Sequence, residues 1–193
     1  SIMDSAWRAD LFTFAMHRSV DVAHGNKEKR RNIINGDAEF VIINYDGVEI
    51  VQDAIDNGGF DCIIVDEATH YKNVQTKRWK TLNRLLKPDT WLWMMTGTPA
   101  AQSPLDAYGL AKLVNPKSVP KFFGTFRDHV MIKLTQFKWI PREDSTDKVF
   151  RALQPAIRFT KEECLDLPPM VYVKRTVELT RQQNKYYKEL KDK

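Results

Sequence analysis

Three short runs of the chain are apolar almost without interruption: FVIINY at 40–45, CIIVDE at 62–67 and WLWMMTGTP at 91–99. A strand turns successive side chains to opposite faces, so it is apolar throughout only when both faces are covered. The runs therefore predict interior strands of a parallel sheet. Between the first two, VEIVQDAIDN (48–57) sets Val48, Val51 and Ile55 at helical spacing and stops at Gly58-Gly59. Between the second and third, QTKRWKTLNRLLK (75–87) sets Trp79, Leu82, Leu85 and Leu86 on one face and ends at Pro88. Strand, helix, strand, helix, strand predicts a βαβ series with right-handed crossovers, hence an α/β domain.

Around this series the pattern predicts further helices. Residues 4–16 read as one, with Trp7, Leu11, Phe14 and Ala15 toward the sheet, and residues 27–34 as a short basic one. A third is expected over 105–113. Beyond about 115, prolines at 116, 120, 141, 155, 168 and 169 cut the chain into short pieces, and aromatic and basic residues interleave over 121–142. This stretch is expected to be a mainly helical C-terminal extension rather than more sheet. VYVKRTVEL (171–179) alternates as a strand does, and 181–193 reads as a helix that runs to the last residue.

Composition narrows the setting. A chain of 193 residues with 42% hydrophobic and 28% charged residues suits one globular domain with an extension and excludes wholesale disorder. No apolar run approaches the roughly 20 residues that cross a bilayer. The start, SIMDSAWRAD, lacks the basic-then-apolar order of a leader. Cys62 and Cys164 are too few for a disulfide scaffold or a cysteine zinc site, so an intracellular, reducing compartment is expected, with Cys62 buried in its apolar run. The missing initiator Met and the abrupt last helix point to a piece of a longer chain. Net charge is +5 and uneven: residues 1–110 hold 12 Lys/Arg against 15 Asp/Glu, residues 111–193 hold 18 against 10. A basic C-terminal part fits a polyanion such as nucleic acid, and equally a merely soluble basic surface.

The chemistry concentrates at two predicted strand ends. Ligands of open α/β sheets bind beyond the C-terminal ends of the strands, where Asp66 and Glu67 emerge. Adjacent carboxylates there suit magnesium and water chemistry, one holding the metal and the other positioning or deprotonating the attacking water. Taken alone, the run equally fits a strand closing on a solvated acidic turn. One βαβ unit later, Thr96-Gly97-Thr98-Pro99 places hydroxyls at a neighbouring strand end, able to sense a phosphate or the acidic pair; as turn formers they also fit a plain polar turn. The two ends together, at this spacing, are hard to obtain by chance.

The pair resembles motifs II and III of superfamily-two helicases. More narrowly, the chain resembles the first RecA-like lobe of the Swi/Snf-type, chromatin-remodeller-like ATPases. DEATHYKN (66–73) is similar to that family's extended motif II, TGTPAAQSPLDAYGLAKLVNP (96–116) to its motif III and following helix, FVIINYD (40–46) to motif Ib and SIMDSAW (1–7) to the end of motif Ia. Residues 157–190 resemble the exit toward the second lobe, and the looser 117–156 the protrusion such proteins insert, in a form closest to phage-encoded members. The resemblance implies a RecA-like three-layer domain with a mainly parallel sheet: an incomplete lobe one over 1–116, a helical insert over 117–169 and a connector over 170–193.

The same resemblance implies roles. Asp66 would coordinate Mg2+ through water and Glu67 would be the catalytic base for ATP. Thr96, Gly97 and Thr98 would couple nucleotide state to nucleic-acid grip. Asn44, Tyr45, Lys72 and Asn73 would lie near the duplex DNA backbone, and Ser1 with the helix after it would join the tracking face. Thr69 departs from the family's His or Gln, and Asn44 from its Thr. No Gly is followed by Lys, so the phosphate loop, motif I, is missing, as are the second lobe and its arginine finger. The expected parent is a DNA-dependent ATPase that translocates on duplex DNA, with the 193 residues alone inactive. The alternatives are a degenerate lobe that binds nucleic acid or a partner without catalysis, and a magnesium nuclease, for which the further carboxylates of a two-metal site are not evident.

Secondary candidates follow from composition. His17, His24, His70 and His129 form no metal spacing, although His70 adjoins the acidic pair. Trp91 and Trp93 are expected in the core. Phe122, Phe123, Phe126, Phe137 and Trp139 fit either the core of the insert or base stacking, with core the expectation. Lys121, Arg127, Lys133, Lys138 and Arg142 fit a solvated face or phosphate contacts.

Overall fold

The computed structural model describes residues 3–164 and 172–191. The chain divides into two compact units, residues 1–156 and 157–193. The first opens with a π-type turn, Met3–Arg8, running into α1 (Ala9–Phe14). Strand β1 (Val20–Val22) pairs in parallel with β2 (Phe40–Ile42). Between them lies α2 (Lys27–Ile34), started by Asn26, whose side chain accepts the Lys29 N–H. β2 leads into α3 (Tyr45–Ile50) and α4 (Gln52–Asn57), then β3 (Cys62–Val65). α5 (Lys77–Leu85), capped by the Thr76 hydroxyl, crosses to β4 (Trp91–Met94), which pairs in parallel with β3. α6 (Ala107–Val114), α7 (Phe123–Val130), the antiparallel hairpin β5 (Met131–Lys133) and β6 (Trp139–Pro141), and α8 (Ser145–Ala152) complete the unit.

Over residues 1–116 the alternation of strand and helix is the predicted one, with three differences; beyond it, the β5–β6 hairpin stands in a stretch expected to be mainly helical. The helix expected over 48–57 is two, broken where Val51 takes a non-helical backbone. β1 is additional; three residues with an Asp at their centre give no apolar run to detect. Finally, the parallel strands form two separate pairs, β1–β2 and β3–β4, instead of one sheet.

Three clusters make the core. Ala23, Ile34, Val51 and Ala54 fill the space beside the first pair. Val65, Ala68, Tyr71, Leu82, Leu110 and Leu113 bind β3 and β4 to α5 and α6. Tyr108, Ala111, Val119, Phe126, Val130, Met131 and Ala152 join α6 to the insert. The insert thus packs on α6, which also packs on β3 and β4.

Among the described residues, only one face of β3–β4 is covered. Val65 is buried, and Ile63, Leu92 and Met94 pack behind it. The alternate residues point away from that core, so Trp91 and Trp93 are 70% and 59% exposed and Cys62 is exposed, against the expectation that all three are buried. Phe14, expected against the sheet, is likewise exposed, whereas Trp7 and Leu11 are half-buried. The aromatics of the insert divide: Phe126 is buried and Trp139 half-buried, while Phe122, Phe123 and Phe137 are exposed.

In the second unit the described helices are α9 (Lys161–Cys164) and α10 (Arg181–Lys191), and residues 172–180 carry no regular element. The Thr180 hydroxyl accepts the Gln183 N–H and the Gln183 side chain accepts the Thr180 N–H, a reciprocal cap that starts α10. Residues 172–179 are not a strand. Alternation needs a ladder partner to become one, and among the described residues this segment pairs with none. Val171 and residues 165–170 lie outside the described residues.

Burial in the second cluster has a measurable consequence. It pushes the Tyr71 hydroxyl up to about 12, with neighbouring Tyr45 adding to the shift. From about pH 10, where an unfolded Tyr ionises, up to about 12 the unfolded chain releases a proton that folded Tyr71 keeps, so stability falls as pH rises. Tyr71→Phe is expected to flatten this part of the alkaline limb in urea unfolding. An unchanged limb contradicts a buried, neutral Tyr71.

Candidate functional site

Parallel pairing of β3 with β4, with Val65 opposite Met94, brings the two polar strand ends to the same edge. Two backbone bonds clamp them: the Met95 N–H donates to the Val65 carbonyl and the Ala68 N–H donates to the Met95 carbonyl, both at 2.8 Å. Asp66 and Glu67 are held between these bonds, exposed at the edge, with Thr96, Gly97 and Thr98 just past the end of β4.

The acidic pair has a defined geometry. Asp66 Oδ1 accepts the Glu67 N–H at 2.9 Å, and Oδ2 accepts the Trp7 indole N–H at 3.2 Å. Glu67 has φ +45° and ψ 52°, the left-handed region that a residue with a side chain seldom adopts. Among the described residues it is the one non-glycine with positive φ. Such strain is held only where neighbours over-determine it. Here the clamp at Ala68 and the 3-10 turn Ala68–Tyr71 do so, and they turn the chain sharply away after Glu67.

Tyr45 supports the pair from α3. Its hydroxyl donates to the Asp66 carbonyl and lies 3.4 Å from the Glu67 carbonyl. The ring packs on His70 (4.9 Å) and edge-on to Tyr71 (5.7 Å), beneath the Arg78 guanidinium at 5.0 Å. Burial, then the charges of Asp66 and Glu67, raise its ionisation, so it stays a donor at neutral pH. Asn44 accepts from Arg30 at 2.8 Å. Asn44 and Tyr45, two of the four residues expected near DNA, thus also hold the fold together behind the edge.

Lys72 and Asn73 leave the site along α6. Lys72 Nζ donates to the Gln102 side chain at 3.1 Å and sits 3.4 Å from Asp106. Asn73 is exposed and forms the turn into α5: its side chain accepts the Gln75 N–H, and its carbonyl accepts the Thr76 hydroxyl. Across the edge, the Thr96 hydroxyl accepts the Thr98 N–H at 3.2 Å. Gly97 has open space where a Cβ would stand. The structure therefore brings Asp66, Glu67, Tyr45 and the Thr96–Thr98 turn together, with Lys72 and Asn73 on the exit.

Three contributors gave no signal in the sequence. The Trp7 bond to Asp66 spans 59 residues. Glu67's backbone conformation is imposed by pairing elsewhere. Gly109 on α6 lets the helix approach the backbone of 71–72.

The donor set fits the magnesium and nucleotide that the resemblance implies. Mg2+ takes one or two carboxylates and completes its shell with waters and phosphate oxygens. Asp66 and Glu67 supply hard oxygens at an open edge, and two threonine hydroxyls stand beside them. Among the described residues, no group of three or more His, Cys, Asp or Glu offers a fuller cage, so the two-metal nuclease alternative lacks its ligands there.

Parallel strands that carry an acidic pair and a hydroxyl turn at one edge, backed by helices, are the architecture of a RecA-like α/β lobe. The chain belongs to the SNF2-related domain family, which it matches over residues 1–193. It is 32% identical over 101 residues to the Xenopus laevis SWI/SNF-related matrix-associated actin-dependent regulator of chromatin subfamily A-like protein 1, covering 52% of this chain and 10% of that protein. The Xenopus tropicalis protein of the same name is 38% identical over 63 residues, 33% of this chain and 7% of that one. Among solved structures, the Sulfolobus solfataricus SWI2/SNF2 ATPase core in complex with dsDNA superposes with TM-score 0.55 at 25% identity, over 66% of this chain and 26% of that one. The chain thus spans about a tenth of the curated relatives' length. Among the described residues, no helix is long and apolar enough to cross a membrane.

Proposed function

We propose that this chain is part of the first lobe of an intracellular DNA-dependent ATPase that moves along duplex DNA. The observation that carries the reading is the clamped edge, where Asp66 and a strained Glu67 stand beside the Thr96–Thr98 turn. The family match and a solved relative bound to dsDNA support it.

Asp66 would hold Mg2+ through water, with the nucleotide phosphates completing the metal's shell. When bound, magnesium and ATP supply the phosphoryl group and the charge neutralisation for its transfer. The chain's own residues do the rest. Glu67 accepts the proton of the attacking water. Tyr45 and Trp7 fix the backbone and carboxylate of Asp66 so that neither acid has to reorganise. The Thr96–Thr98 turn, bonded to the same edge through Met95, responds to the nucleotide, while the 71–73 exit, with Lys72 and Asn73, lies against the duplex backbone. Tyr45, bonded to Asp66 and packed on Tyr71, links that contact to the acidic pair from behind, and Asn44 beside it would lie near the duplex backbone.

The motion itself is testable. With ATP and magnesium, the intact protein is expected to displace a triplex-forming third strand from a duplex, because backbone tracking strips what lies in its path. The alternative, a lobe that binds DNA without catalysis, predicts the same release with and without ATP.

A further inference from the structure

The β5–β6 hairpin contributes no residue to the acidic edge or to the 71–73 exit. It stands on a fixed base: Met131 is buried in the α6–α7–α8 core, Trp139 packs against it, and three residue pairs join the strands. Its five-residue tip, 134–138, is also ordered from within. The Leu134 N–H donates to the Lys138 carbonyl at 2.9 Å, and the Thr135 hydroxyl accepts the N–H groups of Phe137 and Lys138 at 3.3 and 3.1 Å. On this tip Phe137 is 90% exposed. A large ring displayed so fully on an ordered turn gains nothing from the chain's own core.

Charge identifies the occupant. From 131 to 142 the chain has Lys133, Lys138 and Arg142 and no acidic residue. Among the described residues neither Lys133 nor Lys138 is paired with a carboxylate. Arg127 stacks on Trp139, 4.0 Å from its centroid, and Lys133 Nζ lies 5.9 Å from the same ring. Lysines flanking an exposed aromatic ring match a nucleic-acid strand, whose phosphates and bases need both partners. Continuous duplex offers no free base face, so the ring selects a strand with an unpaired base.

We propose that the hairpin is a DNA contact in which Phe137 stacks on an unpaired base beside a duplex, while Lys133 and Lys138 neutralise the flanking phosphates. This rests on the reading of the chain as DNA-binding and adds the substrate class: duplex interrupted by a gap or single-stranded end. A second copy or a protein partner is the competing occupant.

The test is binding of the 193-residue chain to uninterrupted duplex and to the same duplex with 2-aminopurine unpaired next to a gap. Expected are quenched 2-aminopurine fluorescence and a preference for the gapped DNA of roughly tenfold. Phe137→Ala should abolish both and leave duplex binding as it was, and Phe137→Trp should retain them. Lys133→Ala with Lys138→Ala should lower the slope of log affinity against log salt by about 2. If Phe137→Ala keeps the quench and the preference, the proposal is overturned while the DNA-binding reading stands. A changed oligomeric state with unchanged DNA binding also overturns it, in favour of a second copy. If the wild-type chain binds neither DNA, both readings fall. Phe137 is outside every core cluster, so its variants retain the fold.

Discussion

Glu67→Gln is expected to lower DNA-stimulated ATP hydrolysis by the intact protein by roughly 10²- to 10⁴-fold, the range lost when a positioned general base is removed. Gln keeps the size and hydrogen-bonding reach of the side chain but cannot accept the proton. The effect should fall on turnover. Glu67 lies at the exposed edge and, among the described residues, its side chain makes no hydrogen bond, so stability and binding of nucleotide and duplex should persist. The strained backbone sharpens this expectation. A non-glycine residue at φ +45° costs on the order of 1–3 kcal/mol, and a purely structural role would be served better by Gly. Glu67→Gly is therefore expected to relieve strain, raising stability while abolishing hydrolysis. A Glu67→Gln protein that turns over ATP at the wild-type rate contradicts the assignment.

Gly109→Ala is expected to destabilise the fold by about 1–3 kcal/mol or more, although alanine is intrinsically the better helix former by about 1 kcal/mol. A Cβ at Gly109 would stand 2.3 Å from the Lys72 carbonyl oxygen and 2.5 Å from that of Tyr71. These are backbone atoms, so no side chain can swing aside, and α6 must separate from the turn that follows Glu67. The separation also pulls on Trp79, whose indole N–H donates to the Gly109 carbonyl at 2.9 Å. Gly124, in α7, is the control. Nothing lies within 4 Å of its would-be Cβ, so Gly124→Ala should leave stability unchanged or raise it by up to about 1 kcal/mol. Urea unfolding of the two variants separates crowding from propensity, and equal midpoints contradict the close approach of α6.

The order of elements and the chemistry of the edge were legible from local pattern. Apolar runs ending in Asp66-Glu67 and Thr96-Gly97-Thr98 mark β3 and β4, and the apolar spacing of Trp79, Leu82 and Leu85 marks α5. What escaped is decided by partners distant in sequence. A continuous apolar run such as WLWMM says that both faces are apolar, not that both are covered, and so Trp91 and Trp93 stand exposed. Residues 131–141 carry aromatics without a clear period, and the Thr135 turn that makes them a hairpin depends on bonds to Phe137 and Lys138. Alternation at 172–179 had no ladder to join. At the site, the acids could be named from sequence, but the bond from Trp7, the Tyr45 hydroxyl beneath Asp66 and the left-handed turn at Glu67 arise only when α3, β3 and β4 are assembled.

The most direct test of the central claim is the steady-state rate of magnesium-dependent ATP hydrolysis by the intact protein, measured with increasing duplex DNA. A rate that rises with DNA and saturates is the predicted result, since the acidic edge and the 71–73 exit belong to one bonded unit. A rate that stays at the uncatalysed level at every DNA concentration would contradict the account and leave a lobe that binds without catalysis.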